Sequence, residues 1–210
     1  MATADMLKLT FRRNRLLITA ISAAFFSIMI ITGVVTYLVL ITSSGLVKGL
    51  QAWLGSTTDY VTIPPPYTGG LYWLIFLNNI GHFWNPARLW VWIPLVGAFE
   101  LGYELIFNAV LIGAVASFVG ITRGPLYTIA GLLPHGIIEI PAFILEFTAL
   151  ARWHVSTTRA LHAKLSGRPV DRPLLREGIK DTVILSLLCV VLFAIAAYIE
   201  TFITPHFIGR

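Results

Sequence analysis

The sequence predicts an all-α fold, a polytopic membrane bundle of about five transmembrane helices with its N-terminus inside and its C-terminus outside. Three observations carry this expectation. Hydrophobic residues make up 57% of the 210 positions and charged residues only 12%, too apolar a balance for an ordinary soluble domain. The apolar residues fall into blocks long enough to cross a hydrocarbon layer about 30 Å thick. The basic residues gather in two regions, Arg12 to Arg15 and Arg152 to Lys180, as expected when positive segments stay on the cytoplasmic side. The chain therefore reads as a single integral membrane domain over 1–210, placed in the cell membrane.

Residues 1–15 read as a cytoplasmic N-terminus ending in Arg12, Arg13 and Arg15. A first span follows from Leu16 to about Ile41. It is too long for a signal-peptide core and lacks a cleavage-like end, so it reads as a retained helix. Residues 42–68 form an outer loop containing Pro64-Pro65-Pro66, in which Leu46, Val47, Leu50, Trp53 and Leu54 suit a short interfacial helix with Trp53 at headgroup level. Tyr67 to Trp84 is a marginal second span carrying Asn78, Asn79 and His82, with a re-entrant path as the alternative.

Asn85-Pro86 is a helix-start signal, and a third span runs from about Arg88 to Phe118, with Pro94 expected as a kink. Gly120 and the turn Arg123-Gly124-Pro125 separate it from a fourth span, Pro125 to Ala151. That span holds Pro134 and Pro141. Each lacks an amide donor, which frees the carbonyls of Ala130 and Ile137 and predicts helix kinks. Residues 152–180 read as a basic cytoplasmic loop, and a fifth span runs from about Thr182 to Ile203. A count of five keeps both basic regions on one side, whereas four would separate them.

Five of the ten acidic residues, Glu100, Glu104, Glu139, Glu146 and Glu200, fall inside these apolar stretches. A charged group at the bilayer centre costs about 3 kcal/mol even on the gentler insertion scales, so such groups face a bundle interior or a hydrated cavity. On the third span Gly97, Glu100, Glu104, Asn108 and Leu111 share one helical face; on the fourth, Gly131, His135, Glu139, Ala142 and Glu146 do the same. Small and polar residues in a stripe suit a helix seam. They equally suit the lining of an ion, proton or substrate site. The topology puts Glu104 and Glu139 near the midplane, Glu100 and Glu146 toward the cytoplasm, and Asn108, His135 and Glu200 toward the outside, as a polar ladder.

Several function classes drop out. The net charge of +5 reflects membrane topology rather than a nucleic-acid surface. The single cysteine, Cys189, permits neither an intramolecular disulfide nor a cysteine metal cage. No Gly-rich phosphate loop and no HExxH motif is present, so no cofactor is expected. His135 and Glu139, one turn apart, are the candidate metal ligands, with Glu104 or Glu200 as a third. The commoner use of such a pair is a histidine hydrogen-bonded to a carboxyl.

The segment from Leu132 to Ala142, Leu-Leu-Pro-His-Gly-Ile-Ile-Glu-Ile-Pro-Ala, resembles the signature of the stage II sporulation protein M (SpoIIM) family. Asn78-Asn79-Ile80, the stretch from Phe107 to Gly113, and the stretch from Ile199 to Pro205 fit the same pattern. Residue by residue, Asn78, Asn79, Asn108, Pro134, His135, Gly136, Glu139, Glu200 and Pro205 match family positions, whereas Glu100, Glu104 and Glu146 fall outside the signature. The resemblance implies an all-helical multi-pass domain. In endospore formers the namesake assembles with cell-wall hydrolases during engulfment, while most other members lack an established activity. The expected function is thus a non-enzymatic scaffold whose partners are the lipid bilayer, other membrane proteins and a second copy of itself. The alternatives are a proton or small-cation channel or transporter using the glutamate ladder, and an intramembrane metalloprotease.

Overall fold

The structure, a computed structural model, describes residues 3–58 and 63–209. The side chains of Trp53 and Leu54, with part of the expected outer loop, lie outside the described residues. All secondary structure among the described residues is helical, as the sequence predicts. Four helices are long and apolar enough to cross a membrane: α1 (Thr3–Thr42), α5 (Val96–Arg123), α6 (Pro125–Leu165) and α7 (Arg172–Phe202). Between α1 and α5 lie α2 (Ser44–Thr58), α3 (Gly69–Asn79), α4 (Gly81–Trp84) and a 3₁₀ turn over Leu89–Trp92; α8 (Thr204–Phe207) follows α7.

Local chemistry explains the boundaries. Thr68 caps α3, its Oγ1 accepting from the amide of Leu71 at 3.3 Å, and Asp171 caps α7 by accepting from the amide of Leu174 at 3.0 Å. Gly124, with φ of 95°, turns the chain sharply between α5 and α6, and Pro125 then fills the first position of α6, where no amide donor is needed. The basic segment expected as a loop is mostly helix. α6 continues to Leu165 and α7 starts at Arg172, leaving only a short turn between them.

The segment from Tyr67 to Trp84, expected as a marginal span or a re-entrant path, is broken at Ile80. Its longer piece, α3, has 11 residues and rises only about 16 Å, half a hydrocarbon layer. Consecutive Asn78 and Asn79 and then Gly81 are poor helix formers. The Arg88 side chain also packs where a Gly81 Cβ would lie, at 2.9 Å. Pro94 is not a kink inside the third span. It lies in the connector after the 3₁₀ turn, next to Leu95 with φ of 70°, and α5 begins only at Val96. Pro134 and Pro141 do lie inside α6, as expected.

Contacts between elements set the direction of each. Arg13 of α1 and Arg152 of α6 both approach Asp181 near the start of α7, at 3.0 Å and 3.6 Å. The start of α1, the late part of α6 and the start of α7 are therefore level. The Ser117 hydroxyl donates to the Gly33 carbonyl at 2.7 Å, and Gly113 meets Met29 one turn earlier on both helices, so α5 runs parallel to α1. The Tyr67 amide donates to the Thr201 carbonyl at 3.2 Å, at the far end of α7. The Trp153 indole donates to the Trp92 carbonyl at 2.7 Å, back near its beginning. Tyr67 to Trp92 thus runs the length of the bundle as a broken segment.

The core sits between α6 and α7, where Ala142, Leu145 and Ala149 pack on Leu185, Cys189 and Phe193. Phe143 extends it toward α1 through ring contacts with Phe25, Phe147 and Phe193. Large apolar side chains also face outward, Ile31, Val35, Phe99 and Leu126 among them. Such a surface suits lipid rather than water.

Candidate functional site

The stripes on α5 and α6 and the broken segment before α5 meet around a cavity of about 450 Å³. Asn78, Asn79, His82, Arg88, Glu104, Asn108, Glu139 and Glu146 all contribute to its wall. The break at Ile80 is what turns His82 inward. Its side chain is 3% exposed and sits between two carboxylates: Nε2 lies 2.6 Å from Oε2 of Glu104, and Nδ1 lies 3.0 Å from Oε1 of Glu146.

A neutral imidazole carries one N–H and an imidazolium two. Nδ1 makes a hydrogen bond with Glu146, whereas the close approach of Nε2 to Glu104 is not aligned as one. Arg88, whose guanidinium donates to the Asn78 carbonyl at 3.3 Å, supplies a cation to the same wall. The expected depth order is adjusted by this geometry, because Glu104 and Glu146 share one level at His82 rather than lying apart.

A second polar cluster adjoins the cavity through Glu139, which accepts from Asn79 Nδ2 at 2.8 Å through Oε1. The expected His135–Glu139 hydrogen bond is not made. His135 Nε2 lies 3.8 Å from Oε2 of Glu139, beyond hydrogen-bonding length, while its Nδ1 lies 3.3 Å from the hydroxyl of Thr204 on α8. Glu200 of α7 joins the cluster, so that ligand atoms of His135, Glu139 and Glu200 all fall within 4.8 Å of one another. Of the two candidate third ligands the structure selects Glu200, because Glu104 faces His82. Asn108 donates to the carbonyl of Glu104 on its own helix at 2.8 Å. Glu100 is half-buried one turn before Glu104 and does not line the cavity.

With that geometry in place, the comparisons with known proteins are informative. The family model described as Stage II sporulation protein M matches residues 22–205. The chain belongs to the SpoIIM family. An uncharacterized protein of Methanocaldococcus jannaschii is 36% identical to it over 120 residues, which are 55% of this chain and 65% of that protein. The chain thus spans just under two thirds of that relative's length. No solved structure matches it.

The SpoIIM resemblance and the local chemistry divide the interior between them. Asn79, His135, Glu139 and Glu200, which carry the resemblance, gather at the second cluster. Glu104 and Glu146, which do not, hold His82. Sequence reasoning noted His82 without assigning it a place in the polar core, took Arg88 only as the start of a span, and named Thr204 only within the stretch from Ile199 to Pro205. The available signal was a lone histidine three residues after Asn79, in a segment too polar and too short to be an ordinary span.

Proposed function

We propose that this SpoIIM protein is a non-enzymatic, multi-pass protein of the cell membrane that conducts protons or a small cation along its intramembrane carboxylates. The reading rests on one observation, His82 held between Glu104 and Glu146 in the wall of a polar cavity. A seam built only for association is packed by small residues, and the chain has such a seam where Gly33 and Gly113 bring α1 against α5. Glu104, Glu139 and Glu146 lie elsewhere, around open volume. An imidazole between two carboxylates is an arrangement that passes a proton by small displacements.

The test is an imposed pH gradient across liposomes carrying the purified protein and an internal pH-sensitive dye. Wild type is expected to dissipate the gradient, and Glu104→Gln and His82→Gln to fall to the rate of empty liposomes, since an amide cannot exchange charge. Wild-type flux equal to empty liposomes, for protons and for sodium and potassium alike, would remove the reading.

A scaffold role has its own support in the hairpin formed by the end of α6 and the start of α7. Arg159, Lys164, Arg168, Arg172 and Arg176 are exposed along it, a surface suited to an acidic partner or anionic headgroups. The basic residues favour a cytoplasmic hairpin, with five crossings that include the broken segment. In intact cells a cysteine at Ser166 is then expected to resist a membrane-impermeant thiol reagent while one at Gln51 of α2 reacts. Labelling at Ser166 alone would invert the topology.

A further inference from the structure

We infer that His135, Glu139 and Glu200 form a binding site for one divalent transition-metal ion, of the zinc class, at the end of the bundle where α6, α7 and α8 meet. The inference goes beyond the conduction reading and does not depend on it, because none of the three ligands is His82, Glu104 or Glu146. The donor set is the first argument. One imidazole nitrogen and two carboxylate oxygens form a mixed set that zinc accepts, with a fourth position left for water. Two carboxylates also neutralise the ion's double charge, which counts for more where the surroundings are apolar.

Geometry is the second argument. The three ligand atoms lie within 4.8 Å of one another, whereas ligands about 2.1 Å from a tetrahedral ion are about 3.4 Å apart. Side-chain rotations of about 1 Å close that gap. His135 and Glu139 come from successive turns of α6 and Glu200 from α7, so the ion would tie together the two helices that form the core.

The surrounding shell is the third argument. Metal-binding histidines characteristically donate their second ring N–H to a neighbouring oxygen, and ligating carboxylates are themselves hydrogen-bonded. Here the Thr204 hydroxyl faces His135 Nδ1, which leaves the Nε2 lone pair toward the carboxylates. Asn79 occupies Oε1 of Glu139, which leaves Oε2 toward His135. His135 is 8% exposed, yet its Nε2 makes no hydrogen bond to the nearest carboxylate. An imidazole nitrogen that faces two carboxylates without a hydrogen bond is better satisfied by an ion than by either acid alone. On the Glu139 side the site adjoins the polar cavity, whose wall includes both Glu139 and Asn79.

The test uses the full chain, stripped with a chelator and titrated with zinc and, separately, with cobalt as a spectroscopic probe. One zinc ion per chain is expected, together with the visible bands of low-symmetry cobalt. His135→Gln and Glu200→Gln should each abolish stoichiometric zinc, and Asn79→Ala should weaken it by about 10- to 100-fold. His82→Gln should leave it at one. The absence of bound zinc in wild type, or one equivalent retained in both His135→Gln and Glu200→Gln, would overturn the site. So would loss in His82→Gln with retention in Glu200→Gln, which would move the ion to the other centre. If the ligand variants do not fold, thermal unfolding of the wild type decides. Zinc but not magnesium should raise its midpoint, and no rise with zinc overturns the inference.

Discussion

Replacing Asp181 with alanine is expected to destabilise the bundle by about 3–5 kcal/mol, the cost of removing one partner from a buried ion pair. Asp181 is fully buried near the start of α7. One oxygen accepts from the Thr10 hydroxyl at 3.1 Å and the other from Asn14 Nδ2 at 3.1 Å and Arg13 Nε at 3.0 Å. Arg13 Nη2 also bonds the carboxylate, and Arg152 Nε stands 3.6 Å away. One side chain therefore ties α1 and α6 to α7, and alanine leaves Arg152 without its counter-charge and Arg13 with only the exposed Glu177, 3.9 Å away. Asp181→Asn should lie between alanine and wild type, because it keeps one acceptor but turns an amide toward Arg13. The measurement is thermal or denaturant unfolding of the purified protein in micelles. A loss under about 0.5 kcal/mol for Asp181→Ala, the range of an ordinary surface change, would mean that the network does not hold the helices together.

Asp181 also marks a limit of sequence reading. Alone it is an acid in a basic segment, just outside an expected span; its partners Thr10, Arg13 and Asn14 lie on the first helix. Nothing in helical periodicity reports a pairing across most of the chain. What periodicity does report is which residues share a face. The stripes through Glu104 and Asn108, and through His135, Glu139 and Glu146, were legible because a polar residue every three or four positions in an apolar helix is itself a signal. Which residue of another element meets each stripe was not. His82 reaches the two stripes only because the helix breaks at Ile80, beside Gly81 and the Arg88 side chain packed on it. The His135–Glu139 spacing was read correctly, but the tertiary contacts of Thr204 and Asn79 replaced the local bond.

The SpoIIM signature was legible for a different reason, since it is a run of residue types rather than a pattern of contacts. It locates His135, Glu139 and Glu200 without saying what they do. Their approach to a common point comes from α6 and α7 packing antiparallel through Ala142, Leu145, Leu185 and Cys189. Small and medium side chains there let the two helices lie close. The basic segment shows the same limit: its charge was plain in the sequence, but its form as two continuing helices with a short turn depends on Asp171 capping α7.

Gly113→Ala is expected to lower the unfolding midpoint by roughly 5–10 °C, from an overpacking cost of about 3 kcal/mol, while Gly33→Ala on the facing helix changes it little. Both glycines lie in the seam between α1 and α5, but they face different atoms. A Cβ on Gly113 would stand 2.2 Å from the Met29 carbonyl oxygen and 3.0 Å from the Gly33 nitrogen. These are backbone atoms and cannot rotate aside, so α5 must move away from α1. A Cβ on Gly33 would meet the Gly113 carbonyl oxygen at 3.4 Å and the Ser117 hydroxyl at 3.5 Å, which is ordinary contact. Separation of the helices would also stretch the 2.7 Å bond from Ser117 to the Gly33 carbonyl. It would displace Glu104, carried on the same helix, from its 2.6 Å approach to His82. Close backbone approach at small residues is how membrane helices associate where lipid supplies no hydrophobic drive between them. Thermal unfolding of both variants in the same micelles gives the comparison. Equal losses, or a larger one for Gly33→Ala, would show that α1 and α5 do not pack in this register.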